Sequence, residues 1–241
     1  MRKLLLIMLI FIVVSPAYGD ILVFTDKAQF DSAIDELAQG VEDFESVTSG
    51  TEFIPGSSID GITFTYSIQG NLIVANDWDA TSGENYLGVA GDRTFLSGDT
   101  LDLTFDQPVY AVGLYVMGSP GDIHENDIEL VDTYTLVQNS STPDLILPDS
   151  GEAFFIGFVD DSFTPHTSVS LISNDMVGYE FQLDDIVTAH SDTNSSTTCF
   201  ISSAGAGTLP HLNTMFIIFS AFFIGFIGLN NRFSEFGVGP R

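Results

Sequence analysis

An all-β fold, an antiparallel jelly-roll-like β-sandwich with one short N-terminal helix, is the fold class this sequence predicts for its central part. Three observations predict it. Beyond Gly40 the apolar residues recur at every second position, as in Ile62, Phe64 and Tyr66 or Leu101, Leu103 and Phe105, the period of a strand with one buried face. The candidate strands are short and numerous, at residues 43–47, 61–67, 72–75, 86–89, 100–105, 111–117, 128–137, 153–159, 169–171 and 178–187. Turn-forming clusters separate them, among them Pro55-Gly56-Ser57-Ser58, Ser119-Pro120-Gly121-Asp122 and Leu147-Pro148-Asp149-Ser150-Gly151. Many short strands joined by tight turns fold as two packed sheets.

Before Gly40 the period is that of a helix, with Phe30, Ala33, Ile34 and Leu37 on one face. Thr25 or Asp26 is placed to cap its start, because a short oxygen-bearing side chain accepts from the first free backbone N–H groups. Gly40 is placed to end it.

Both ends of the chain read as delivery segments. Arg2 and Lys3 precede an apolar run at residues 4–14, and Ala17-Tyr18-Gly19 follows. That is the layout of a secretory signal peptide cleaved after Gly19. The run has 11 residues, whereas a spanning helix needs about 20. Residues 212–229 form a second apolar segment without charge. As a helix it would span roughly 27 Å, enough for a thin bilayer core. Arg232 and Arg241 lie in the short segment 230–241 behind it, which is expected to stay cytoplasmic. Residues 191–211 hold a polar tether and then Cys199, the single cysteine. One thiol makes no internal disulfide. Its place before an anchor fits processing or lipid attachment, with an unmodified thiol as the alternative. The expectation is export to a cell surface, with the membrane as a partner through the C-terminal transmembrane helix.

The domain between, residues 20–190, carries 31 acidic residues against Lys27 and Arg93, a net of −29. Phosphate binding needs a basic face, so no nucleic-acid partner is expected. Acidity of this degree keeps a surface soluble in high salt or binds hard divalent cations.

The order of short Cys199 motif, hydrophobic helix and terminal Arg232 and Arg241 resembles the C-terminal sorting tails of the PEP-CTERM type. The main pattern's Pro-Glu-Pro is missing, and Cys199 stands where cysteine-containing variants carry their motif. The resemblance implies a membrane-embedded sorting enzyme as a partner. The central domain is similar to the folded regions that precede such tails. The matching features are Phe30, Asp43-Phe44-Glu45, Gln107-Pro108-Val109-Tyr110-Ala111-Val112-Gly113, Phe154-Phe155-Ile156-Gly157-Phe158 and Phe181-Gln182-Leu183-Asp184-Asp185-Ile186. This implies a β-sandwich surface domain.

Two groups of residues are candidates for binding. Glu45, with Asp43 beside it, sits in an early strand, and Asp184 and Asp185 sit in the last one. In a jelly roll the first and last strands often lie together, which would gather these carboxylates, and calcium takes about six to eight oxygens. Alternation places Asp184 and Asp185 on opposite faces. The arrangement is similar to the structural calcium site of jelly-roll carbohydrate-binding modules, where an early Glu and a late Asp share the ion. Structural Ca2+ is the cofactor this implies, and solvated carboxylates at a strand end are the alternative. The second group is Asp77, Trp78 and Asp79, with Tyr86 close by. Aromatic faces beside carboxylates stack on sugar rings, so an extracellular polysaccharide is the partner this loop suggests; the alternative is that Tyr86 is core and Trp78 covers a sheet end.

Catalytic patterns are missing. His124, His166, His190 and His211 lie in turn or linker settings with no pair at metal-ligand spacing. No nucleophile elbow or phosphate-binding loop occurs. Asp160 and Asp161 are adjacent and so face opposite ways, whereas glycoside hydrolysis needs carboxyls converging at roughly 5–10 Å. The expected function is therefore non-enzymatic, a structural or adhesive role in an extracellular matrix or biofilm. A calcium-supported carbohydrate-binding module and a secreted glycan hydrolase are the alternatives.

Overall fold

The computed structural model describes residues 20–191 apart from 134, 163 and 175–177. Gly19 and the expected signal peptide, Cys199, the apolar segment 212–229 and the tail behind it lie outside the described residues. Among the described residues no helix is long and apolar enough to cross a membrane.

The chain opens with β1 (Ile21–Phe24), α1 (Lys27–Ala33) and β2 (Ala38–Glu42). Asp26 caps α1, its carboxylate accepting from the Gln29 N–H at 2.9 Å. The helix stops at Ile34, well before Gly40, which lies inside β2. A Cβ on Gly40 would stand 3.0 Å from Thr188 Oγ1, so the small residue serves a close approach of two strands. The strand expected at 43–47 is a turn instead. Phe44 adopts a φ of 59° there and its ring is fully buried, so the apolar residue marks a plug rather than a strand.

There follow β3 (Glu52–Phe53), β4 (Ser57–Ile59), β5 (Ile62–Ser67), β6 (Leu72–Ala75), β7 (Tyr86–Val89) and β8 (Phe95–Leu96). Next are β9 (Thr100–Val109), β10 (Ala111–Gly118), β11 (Ile128–Val131), β12 (Leu136–Gln138) and β13 (Leu145–Ile146). The last are β14 (Glu152–Asp160), β15 (His166–Ser173) and β16 (Glu180–His190). The run at 128–137 is thus two strands, and the short run at 169–171 is the middle of a longer one.

All the strand pairs are antiparallel and form two sheets. The first has the order β1-β14-β10-β16-β7-β6-β3, with β13 also on β14 and with β2 and β8 on β16. The second has the order β12-β11-β15-β9-β5-β4. Phe64, Leu101, Leu103 and Leu171 of the second sheet pack against Val112, Leu114, Phe154, Ile156 and Leu183 of the first, in one buried cluster. Each such side chain contributes about 1.5–3 kcal/mol on burial. The second sheet keeps a wet outer face, and β9 alternates buried and exposed residues accordingly.

The first sheet is covered on both faces. Residues of β10 and β14 that point away from the second sheet, Tyr115, Met117 and Phe155, pack under α1 with Phe30 and Ile34. Strands buried on both sides read as continuous apolar runs rather than alternating ones, as β10 and β14 do in sequence.

Pairing of β10 with β16 slips once. Gly113 faces Val187, and two residues later Tyr115 faces Asp184. The extra residue is on β16, where Asp185 has a φ of 47°, a β-bulge.

Candidate functional site

The bulge decides what Asp184 and Asp185 do. In a regular strand their side chains would diverge. Here both carboxylates reach the same loop, that between β6 and β7. Asp184 Oδ2 accepts from the Thr81 N–H at 2.8 Å, the Thr81 hydroxyl at 2.7 Å and the Ser82 N–H at 3.2 Å, and Oδ1 accepts from the Asp185 N–H at 2.8 Å. Asp185 accepts from the Ser82 hydroxyl at 2.6 Å and lies 2.9 Å from the Thr81 hydroxyl. The expected divergence of the two side chains is corrected by this one inserted residue.

Thr81 has one hydroxyl hydrogen and two carboxylate neighbours. Its hydrogen is shared between the two, or one of the carboxyls carries a proton. Asp184 is 0% exposed. Its burial, with the charge of Asp185 adding to it, pushes its carboxyl up to about 7 despite the donors from Thr81 and Ser82.

Glu45 grips the far end of the same loop. Its Oε1 accepts from the Glu84 N–H at 2.7 Å and the Asn85 N–H at 2.5 Å. Gly83, with φ of 57°, lies under the Glu45 side chain, which occupies the space a Cβ would need. The Asn85 amide in turn donates to the carbonyls of Phe44 and Val47 at 3.0 and 3.1 Å. Asp43 caps the turn locally, accepting from the Glu45 N–H at 3.1 Å.

The structure therefore brings Glu45, Asp184 and Asp185 to one loop, as three clamps on its backbone and hydroxyls. Among the described residues no group of three or more His, Cys, Asp or Glu that could hold a metal ion is found. Calcium fits this donor set poorly, because an ion there would displace the N–H and O–H donors that already satisfy the carboxylates.

The clamped loop carries Trp78 to the mouth of a cleft of about 270 Å³, lined among others by Asp77, Trp78, Arg93, Thr94, Glu180 and Gln182. The Trp78 ring lies over Gly151 and is half-buried, part of the cover on the α1 side of the first sheet. Asp79 holds the neighbouring hairpin, accepting from the Asp149 N–H at 2.7 Å. Tyr86 is buried in the core and its hydroxyl donates to Asp77 at 2.6 Å. Burial and that carboxylate raise the phenol well above its ordinary range. Its ring gives no open stacking face. Arg93 Nε stands 3.8 Å from Asp77, an exposed pair of little energetic weight.

Arg93, Glu180 and Gln182 were not singled out from sequence. They come from the turn after β7 and from β16, and only the pairing of strands unites them with Trp78. Gln182 is buried, and its Oε1 has no hydrogen-bond partner.

A second polar cluster sits apart from the cleft. His166 opens β15 rather than lying in a turn. Its ring is buried, with Nδ1 2.6 Å from Asp132 and Nε2 3.1 Å from the buried Asp160. The nitrogens point to opposite sides, so they do not converge on one ion. Asp161 is exposed, and its backbone N–H donates to the Asp20 carbonyl at 3.3 Å.

No protein family and no curated protein matches this chain. Among solved structures it is similar to the catalytic domain of a GH87 alpha-1,3-glucanase in complex with tetrasaccharides, at 12% identity and a TM-score of 0.30. The likeness covers 60% of this chain and 30% of that one, and one so slight carries no argument about fold or function.

Proposed function

We propose that this chain is an exported, non-catalytic surface protein whose jelly-roll-like sandwich binds carbohydrate in the Trp78 cleft. The signal peptide and sorting tail read from the sequence are its means of delivery to the surface. A matrix or biofilm role follows from holding a polysaccharide outside the cell.

The observation that carries the reading is the cleft itself. Its volume suits one or two sugar rings. It sets a half-buried indole beside carboxylate, guanidinium, hydroxyl and amide groups, the mixture that orients a ring with an apolar face and hydroxyl edges. The clamps on the loop hold Trp78 in place before a ligand arrives, so little ordering is left to be done on binding. No bound ion is needed for this.

Glycan-array binding by the full chain in detergent tests it. Binding to a polysaccharide that drops at least tenfold in Trp78→Ala, with the melting temperature kept, supports the reading. A full set of arrays without binding removes it. Release of free sugar from the bound polymer, lost in Glu180→Gln, would replace binding by hydrolysis.

A further inference from the structure

Glu42 ends β2 and points into the sandwich. It is 3% exposed. Its Oε1 accepts from the Phe44 N–H at 2.8 Å, and its Oε2 is buried without any hydrogen-bond partner. The group that faces it is Asp60, whose side chain lies within hydrogen-bonding reach, with the charge of Asp43 also near. Two carboxylates facing one another are two acceptors with no hydrogen between them. Burial first, and then Asp60 and Asp43, hold the Glu42 carboxyl above the ordinary carboxylate range.

Among the described residues neither Lys27 nor Arg93 answers this charge. Lys27 is paired with Asp31 at 2.6 Å and Arg93 lies beside Asp77. A buried carboxylate left ionised without a partner costs several kcal/mol, on the order of a sizeable share of a domain's stability. Such a group takes up either a proton or a cation.

We propose that Glu42 and Asp60 together hold a hard divalent cation of the calcium type, which ties the edge strand β2 of the first sheet to the β4–β5 hairpin of the second. The donors are oxygen only, which selects hard cations over zinc or copper. Two carboxylates leave most of the coordination shell to backbone carbonyls and water. The hairpin brings Asp60 to the spot: Ile59 pairs with Ile62, and Asp60 and Gly61 between them have φ of 42° and 82°, a two-residue turn of type I′. The site is separate from the Trp78 cleft and stands or falls without it.

Thermal unfolding of the full chain in detergent, with calcium or with a chelator, tests the proposal. Calcium is expected to raise the midpoint by several degrees. Asp60→Asn should abolish that shift. Asn-Gly is a preferred pair for the same turn, so this variant keeps the hairpin and loses only the charge. In chelator it should melt at or above the parent, because the like-charge contact is gone. Asp184→Asn should keep the calcium shift. The proposal is overturned if calcium leaves the parent unmoved, which would assign a shared proton to Glu42, or if the shift persists undiminished in Asp60→Asn.

Discussion

Asp184 and Glu42 are both carboxylates buried in a domain with two Lys and Arg side chains, and their surroundings are opposite. Asp184 receives three N–H groups and a hydroxyl. Glu42 receives one N–H and faces another acid. The difference shows that burial alone does not decide the fate of a charge. Burial holds both carboxyls above the ordinary range, but donors make Asp184 a clamp on its loop, whereas Glu42 keeps one oxygen without a partner.

The comparison is broken most directly by pH. The fold holds the Asp184 proton to about 7, while an unfolded Asp releases it near 3.8. The contribution is therefore complete below pH about 4 and is lost as pH rises through about 7. Urea unfolding of the parent and of Asp184→Asn across this range should diverge by up to about 4 kcal/mol, with the parent losing ground as pH rises. A difference that is flat with pH would mean that the donors, not burial, control this carboxyl.

A smaller effect is expected from the loop that Asp184 clamps. Gly83→Ala puts a side chain where Glu45 lies and where φ is positive, at a cost of about 1–3 kcal/mol. The same variant should weaken glycan binding through displacement of Trp78, measured on the same arrays. Unchanged stability would show that the Glu45 grip on Glu84 and Asn85 is loose.

The smallest effect concerns Glu42. Glu42→Gln places an amide donor opposite Asp60 and is expected to stabilise the chelated protein by about 1 kcal/mol at pH 7. A neutral result there would mean that the parent carboxyl already holds a proton.

Much of the second sheet was legible in the sequence, because its outer face is wet and its strands alternate: Ile62, Phe64 and Tyr66 fall where expected. The capping role of Asp26 was legible for the same kind of reason, a local donor and a local acceptor. β2 was not, since Ala-Gln-Gly-Val-Glu has little apolar content and Gly40 imitates a helix stop. Phe44 drew the strand assignment to the neighbouring turn. At the site, Glu45, Asp184 and Asp185 stood out in the sequence as candidate ion ligands, but the loop they hold from its two ends, Thr81 to Asn85, was hidden. It depends on a bulge that no alternation pattern announces. Trp78 stood out as the single tryptophan, while Arg93, Glu180 and Gln182 carry no local signal.

The inserted residue in β16 also divides that strand into two phases. Leu183 and Ile186, three apart, both enter the inter-sheet core, while Asp184, Val187 and Ala189 share the other face. Without Asp185 the order Leu183, Asp184, Ile186, Val187 would alternate regularly, so both halves would keep their faces and the strand would lose only the second carboxylate that reaches Thr81 and Ser82. The extra residue therefore serves the loop rather than the sheet: it adds a carboxylate on the side of Asp184 at a place where the two packed faces are already in step.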